Sequence, residues 1–170
     1  MPGFRFVIAD DHPLFRGALK QALAEFDGEI LEAGDFDTVK AMVSGEDDID
    51  LVLLDVKSGL PETYRRVTGR DLQPTLDFGA RVAEHGIETW VRFVLVPGLT
   101  DEVANVAAVA DYVATLSTVT RVEVLPFHQM GRDKWASLGM AYELDDVQPP
   151  TPELVARVRG QFAERGLTVF

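Results

Sequence analysis

Residues 50–57 read Asp50-Leu51-Val52-Leu53-Leu54-Asp55-Val56-Lys57. Four apolar residues run unbroken between two acids, which is the pattern of a strand buried in a parallel sheet. The run closes on Asp55, and Lys57 stands two residues beyond. Open parallel sheets bind ligands past the carboxyl ends of their strands, so Asp55 and Lys57 mark a candidate site.

Similar runs lie on both sides. Phe4–Ala9 is apolar apart from Arg5 and stops at Asp10-Asp11. Glu29–Ala33, Thr89–Val96 and Arg121–Leu125 read as further strands, with Leu167–Phe170 as a short sixth. Between them apolar residues recur at helical steps. Phe15, Ala18, Leu19, Ala22, Leu23 and Phe26 follow Pro13; Phe36, Val39, Met42 and Val43 follow a capping Asp35. Leu76, Ala80 and Ala83 precede a stop at Gly86, and Val103, Val106, Ala110 and Val113 follow a cap at Thr100 or Asp101. Thr151 and Pro152 open a last helix with Leu154, Val155, Val158 and Phe162 inward. Lys57–Pro74 reads as a long polar loop with room for one helical turn at Glu62–Val67, and Phe127–Pro150 as irregular.

Regular alternation of strand and helix predicts a parallel sheet with helical crossovers. The chain is too short for a closed eight-stranded barrel of ~250 residues. The predicted fold is therefore α/β, a flavodoxin-like doubly wound sheet in the order 2-1-3-4-5, with the sixth strand at its edge.

Composition narrows the function classes. The 170 residues are 46% apolar, enough for a packed core rather than disorder. Asp and Glu number 28 against 16 Lys and Arg, a formal charge of −12, which argues against nucleic-acid or anionic-membrane partners. Cysteine is absent, so these residues supply no disulfide, thiolate ligand or cysteine nucleophile. No apolar run approaches the ~20 residues of a membrane span. Met1-Pro2-Gly3-Phe4-Arg5 leads straight into a strand without a signal-peptide pattern, so a cytoplasmic location is expected. No protein partner is evident; an unpaired sheet edge would favour self-association.

The charge is uneven. Residues 1–56 hold 4 basic and 13 acidic side chains, and residues 57–170 hold 12 and 15. Three acids, Asp10, Asp11 and Asp55, close strands predicted to be neighbours. Converging carboxylates repel unless a cation lies between them, and a hard, oxygen-liganded ion such as Mg²⁺ would relieve them. His128 follows the late strand, His12 reads as a helix-start residue, and His85 as a helix C-terminal one. Trp90 and Trp135 read as packing residues.

The run Val7-Ile8-Ala9-Asp10-Asp11-His12-Pro13-Leu14-Phe15-Arg16, with Asp50–Asp55, resembles the first half of a response-regulator receiver domain of the NarL/LuxR type, over about residues 1–55. The resemblance implies Mg²⁺ at Asp10 and Asp11 and phosphorylation of Asp55. It then fails: no Ser or Thr closes Val94-Leu95-Val96-Pro97, and no Lys closes the strand before His128.

From about residue 50 to 170 the chain resembles a different family, the pyruvate formate-lyase activating enzymes of the radical S-adenosylmethionine class. The matching pieces are Leu54-Asp55-Val56-Lys57, Trp90-Val91-Arg92-Phe93-Val94-Leu95-Val96-Pro97-Gly98 and Leu125-Pro126-Phe127-His128-Gln129-Met130-Gly131, followed by Lys134-Trp135 and Pro149-Pro150. The resemblance implies that Asp55, Lys57 and His128 help hold S-adenosylmethionine and that Arg92 lies near the active site. The family's cluster-binding cysteine motif and its Gly-Gly-Glu motif belong to a part that this chain does not match.

Two resemblances in one chain predict a single chimeric domain, 1–170, joined near residue 55 from a receiver-like fragment (1–55) and a partial-barrel fragment (56–170). On that reading the chain is a designed or recombinant scaffold without evolved catalytic activity. It requires no cofactor, carries no iron–sulfur cluster, and keeps at most Mg²⁺ at Asp10, Asp11 and Asp55. Its vestigial sites are the phosphoacceptor Asp55 and an S-adenosylmethionine or anion site at Asp55, Lys57, Arg92 and His128.

Overall fold

A computed structural model of the chain describes residues 4–9, 20, 28–33, 36–45, 49–129 and 142–170. The expected helix around Phe15–Phe26, the acids Asp10 and Asp11, and Trp135 lie outside the described residues. Five strands and five helices are described: β1 (Phe4–Ala9), β2 (Gly28–Ala33), α1 (Phe36–Gly45), β3 (Leu51–Asp55), α2 (Pro61–Thr68), α3 (Gln73–Glu84), β4 (Glu88–Leu95), α4 (Val103–Ala114), β5 (Val119–Pro126) and α5 (Pro152–Ala163).

All the ladders are parallel. β3, β4 and β5 form one three-stranded sheet in that order, and β1 pairs with β2. The order 2-1-3-4-5 needs a ladder between β1 and β3, and none forms among the described residues. Whether two groups of strands join depends on backbone edges, which side-chain patterning does not encode. The sixth strand is present as a parallel bridge, Val122 to Val169. Val122 donates to the Thr168 carbonyl at 2.8 Å, and Phe170 donates to the Val122 carbonyl at 2.9 Å. That edge of β5 is therefore covered.

β4 sets the layering. Thr89, Val91, Phe93 and Leu95 are buried, while Trp90, Arg92 and Val94 between them are half-exposed. Strand alternation thus sends one set into a core covered by α3, α4 and α5 and the other to an open face. Phe93 meets Phe162 of α5 with ring centroids 5.8 Å apart, and both are fully buried. Val39 and Ile49 belong to the same core, which ties α1 to it. α5 starts as its sequence predicts: the Thr151 hydroxyl accepts from the Leu154 amide at 3.2 Å, and Pro152 follows. Gly86, at φ 70°, takes the left-handed turn that ends the α3 segment. α4 corrects the expected cap. Glu102 precedes it without a side-chain bond, because Thr100 and Asp101 are bonded within their own turn.

Tyr112 of α4 lies across α3. Its hydroxyl donates to the Leu76 carbonyl at 2.9 Å and covers Gly79, where any side chain would strike it. Burial, with Asp77 nearby, pushes this phenol up to about 12.

Two outcomes follow. Phe162→Ala is expected to cost about 3–5 kcal/mol and Thr151→Ala about 1 kcal/mol in urea unfolding, since one empties a core site and the other removes a cap. Tyr112 keeps its proton in the fold above the ~10 at which an unfolded tyrosine ionises. Its stabilisation is therefore complete below pH ~10 and is lost as pH rises toward about 12. Tyr112→Phe should flatten that decline in unfolding measured across the same pH range.

Candidate active site

The sheet brings three of the expected residues together. Asp55 is the last residue of β3, and its partner in register on β4 is Arg92. Period-two alternation puts both on the open face. Arg92 Nε donates to Asp55 Oδ1 at 2.9 Å, and Arg92 Nη2 donates to Asp55 Oδ2 at 3.0 Å. This is the forked geometry in which guanidinium and carboxylate match best. Lys57 Nζ adds a third bond, to Asp55 Oδ2, at 3.1 Å. Each of the three side chains keeps about a third of its surface in solvent, 33–35%.

Two cations share one carboxylate, so among the described residues the cluster carries one more positive than negative charge at the carboxyl end of the sheet. It is suited to an anionic group such as a carboxylate or phosphate. The row continues to Glu123 of β5, in register with Arg92, and Glu123 pairs with Arg121 at 2.9 Å. His128 stands exposed two residues beyond β5, at the same end of the sheet.

The row below is apolar and aromatic. Leu53 is in register with Trp90, and Trp90 with Arg121. The Arg121 guanidinium lies 4.8 Å from the Trp90 ring centroid and 4.1 Å from that of Phe170. Leu53 and Phe170, at 53% and 51% exposed, flank this row. Trp90 Nε1 and the Thr120 hydroxyl both donate to Glu88 Oε1. Those donors, Thr120 foremost, hold the Glu88 carboxyl below its usual range.

Sequence reasoning missed what lies behind the cluster. Ser58, Thr100 and Asn105 are buried polar residues, and they are bonded to one another's segments. Nothing in the apolar periodicity of α4 singles out Asn105; a polar residue in the first turn of a helix is the one available signal.

No family model matches the chain. Relatives do. The chain is 43% identical over 110 residues to the pyruvate formate-lyase-activating enzyme of Streptococcus mutans, covering 65% of this chain and 42% of the relative. It is 33% identical over 117 residues to the pyruvate formate-lyase 1-activating enzyme of Escherichia coli K12, covering 69% and 48%. The Staphylococcus aureus enzyme is 38% identical over 106 residues. About two-thirds of this chain thus matches pyruvate formate-lyase activating enzymes. The chain spans less than half the length of these curated relatives.

Solved structures agree on the fold. A domain of a pyruvate-formate lyase-activating enzyme from Bacteroides vulgatus superposes over 100% of this chain and 98% of its own, with TM-score 0.66 and 20% identity. A radical SAM methyltransferase from Sphaerobacter thermophilus aligns with 85% of this chain at TM-score 0.61 and 13% identity. The chain shares its fold with these two solved proteins.

These matches correct three expectations. The inert scaffold is overturned, because natural enzymes share the sequence and a natural domain shares the fold from end to end. The comparisons support the activating-enzyme resemblance over about two-thirds of the chain and give no support to a receiver half or a chimera. The absence of enzymatic activity is overturned because the relatives are named as enzymes. The expectation of no cofactor beyond Mg²⁺, and of no iron–sulfur cluster, is overturned too. It rested on the zero cysteines of these 170 residues, and the chain spans less than half the length of the enzymes it matches.

The matches lend no support to the receiver-type phosphoacceptor reading of Asp55, whose oxygens accept from Arg92 and Lys57. Among the described residues no group of three or more His, Asp or Glu could hold a metal ion. No helix of the described residues is long and apolar enough to cross a membrane.

If Asp55, Lys57 and Arg92 serve a ligand, their removal should hardly affect folding. Asp55→Asn and Lys57→Met are each expected to shift stability by less than about 1 kcal/mol in urea unfolding, as for other part-exposed ion pairs. A loss of several kcal/mol would instead make the cluster a structural bridge.

Proposed function

We propose that the chain is part of an activating enzyme of the pyruvate formate-lyase type, and that Asp55, Lys57, Arg92 and His128 are its contribution to an S-adenosylmethionine site. The observation that carries this reading is the Asp55–Arg92–Lys57 cluster, with its excess positive charge, at the carboxyl end of a parallel sheet. The sequence matches to enzymes of that name support it. Lys57 and Arg92 fit the carboxylate of the ligand's amino-acid end. Asp55 orients both cations through its shared oxygens. His128, at the mouth of the neighbouring strand, is placed to donate or accept a hydrogen bond on the ligand's other side.

The chemistry such a ligand supplies is reductive cleavage at its sulfonium centre. The iron–sulfur cluster that would drive it does not fit these residues, which contain no cysteine. Its ligands would have to come from elsewhere in the enzyme. What this chain supplies is binding and orientation.

The test is titration of the isotopically labelled chain with S-adenosylmethionine, followed by amide resonances. Shifts centred on Asp55, Lys57, Arg92 and His128 are expected, and Lys57→Ala should weaken binding about tenfold or more, the worth of one charged hydrogen bond. Shifts centred elsewhere, or none, would overturn the assignment.

A further inference from the structure

The cluster depends on two loops, and one buried side chain joins them. Lys57 begins the loop after β3, and the next residue, Ser58, is fully buried. Ser58 Oγ donates to Asn105 Oδ1 at 2.6 Å. The Gly59 amide donates to the same oxygen at 2.9 Å, and the Leu60 amide at 3.3 Å. One amide oxygen thus gathers three donors from three consecutive residues. Asn105 is itself 0% exposed.

Its nitrogen serves the other strand. Asn105 Nδ2 donates to the Thr100 carbonyl at 2.8 Å. The Thr100 hydroxyl donates to the Val94 carbonyl at 2.9 Å and accepts from the Val96 amide at 2.8 Å. Val94 lies two residues beyond Arg92 on β4. A continuous buried chain of bonds therefore runs from the residue beside Lys57, through Asn105 and Thr100, to the end of the strand that carries Arg92.

Packing reinforces it. A Cβ at Gly59 would lie 2.5 Å from the Val109 nitrogen and 2.7 Å from the Ala108 carbonyl carbon. Those are backbone atoms and cannot swing aside, so the loop lies directly against α4. The Leu60 amide also donates to Ser58 Oγ at 3.1 Å, but the part-buried Gly59 amide relies on the Asn105 oxygen, and leaving it unpaired would cost free energy. An apolar residue would satisfy packing better than Asn in most helix positions, and this one instead spends a full amide on two loops.

We infer that Asn105 is a positioning residue: it fixes the loop after β3 against the end of β4 and so holds Lys57 in reach of the carboxylate that Arg92 grips. The inference rests on the proposed reading of Asp55, Lys57 and Arg92 as a ligand-binding cluster. It assigns that cluster's geometry to a side chain that does not touch the ligand.

Three variants separate positioning from simple stability. Asn105→Leu removes the acceptor and the donor. Asn105→Asp keeps the acceptor facing Ser58, Gly59 and Leu60, in a first helical turn where the dipole favours an anion, and loses only the bond to Thr100. Val158→Ala lowers stability from α5 by emptying a core site whose side chain makes none of these hydrogen bonds. The first readout needs no ligand. Amide exchange at Gly59 and Leu60 should speed up about tenfold or more in Asn105→Leu, relative to the rest of the sheet, and stay within about threefold of the parent in Asn105→Asp. The Lys57 resonances should move only in the Leu variant.

The second readout is S-adenosylmethionine titration. Asn105→Leu is expected to weaken binding about fivefold or more, while Val158→Ala stays within about twofold. Unchanged exchange at Gly59 and Leu60 in Asn105→Leu would overturn the inference. So would parental affinity in that variant, or an equal loss of affinity in Val158→Ala. If the parent chain binds no S-adenosylmethionine, the ligand reading of the cluster fails, and the exchange and Lys57 resonances alone decide whether Asn105 sets the loop. Should Asn105→Leu not fold, Ser58→Ala removes one of the three donors and is read by the same measures.

Discussion

The alternation of β4 carries the rest of the molecule. Val91, Phe93 and Leu95 face the helices and are fully buried, and the residues between them face the other way. Because a strand's side chains alternate strictly, the same eight residues that build the core also place Arg92 beside Asp55 and Trp90 beside Arg121. A slip of one residue in the β3–β4 register would bury Arg92 and expose Phe93. Burying an unpaired guanidinium while losing a buried phenyl is prohibitive, so hydrophobic burial on one face enforces electrostatic geometry on the other.

That division separates stability from chemistry. The helix-covered face contains Phe93, Val109, Val113, Val158 and Phe162, all fully buried. The open face holds Asp55, Lys57 and Arg92, each about a third exposed, where an ion pair adds little to folding. Charges kept in a forked geometry that contributes so little to stability need another reason to be there. The loops behind them give the same indication. Ser58, Thr100 and Asn105 bury polar atoms at the one end of the sheet where the cluster lies, and all three find partners.

Much of this was legible in the chain, element by element. Phe4–Ala9 is a strand as read, and the strands at residues 51–55, 88–95 and 119–126 lie within a few residues of their sequence bounds. Apolar runs between turn signals are strong local information, and Thr151-Pro152 is a strong start signal. The polar stretch after Lys57 was harder. α2, Pro61–Thr68, buries little beyond Tyr64, so almost no apolar periodicity announces it. That no ladder joins β1 to β3 among the described residues was not legible at all, because edge hydrogen bonds are made by backbone atoms common to every residue.

The site divides in the same way. Asp55 and Lys57 were found because a charge that ends an apolar run is visible in one dimension. The contact of Asp55 with Arg92 depends on register across 37 residues of sequence, which no local pattern contains. Asn105 was invisible for a further reason. Its burial comes from the loop that folds back over the first turn of α4, and the period of the helix predicts only what faces the sheet. The same limit explains the misreading of zero cysteine. Composition states what these 170 residues can ligate; it carries no information about the residues that the relatives, more than twice the matched length, hold beyond the match.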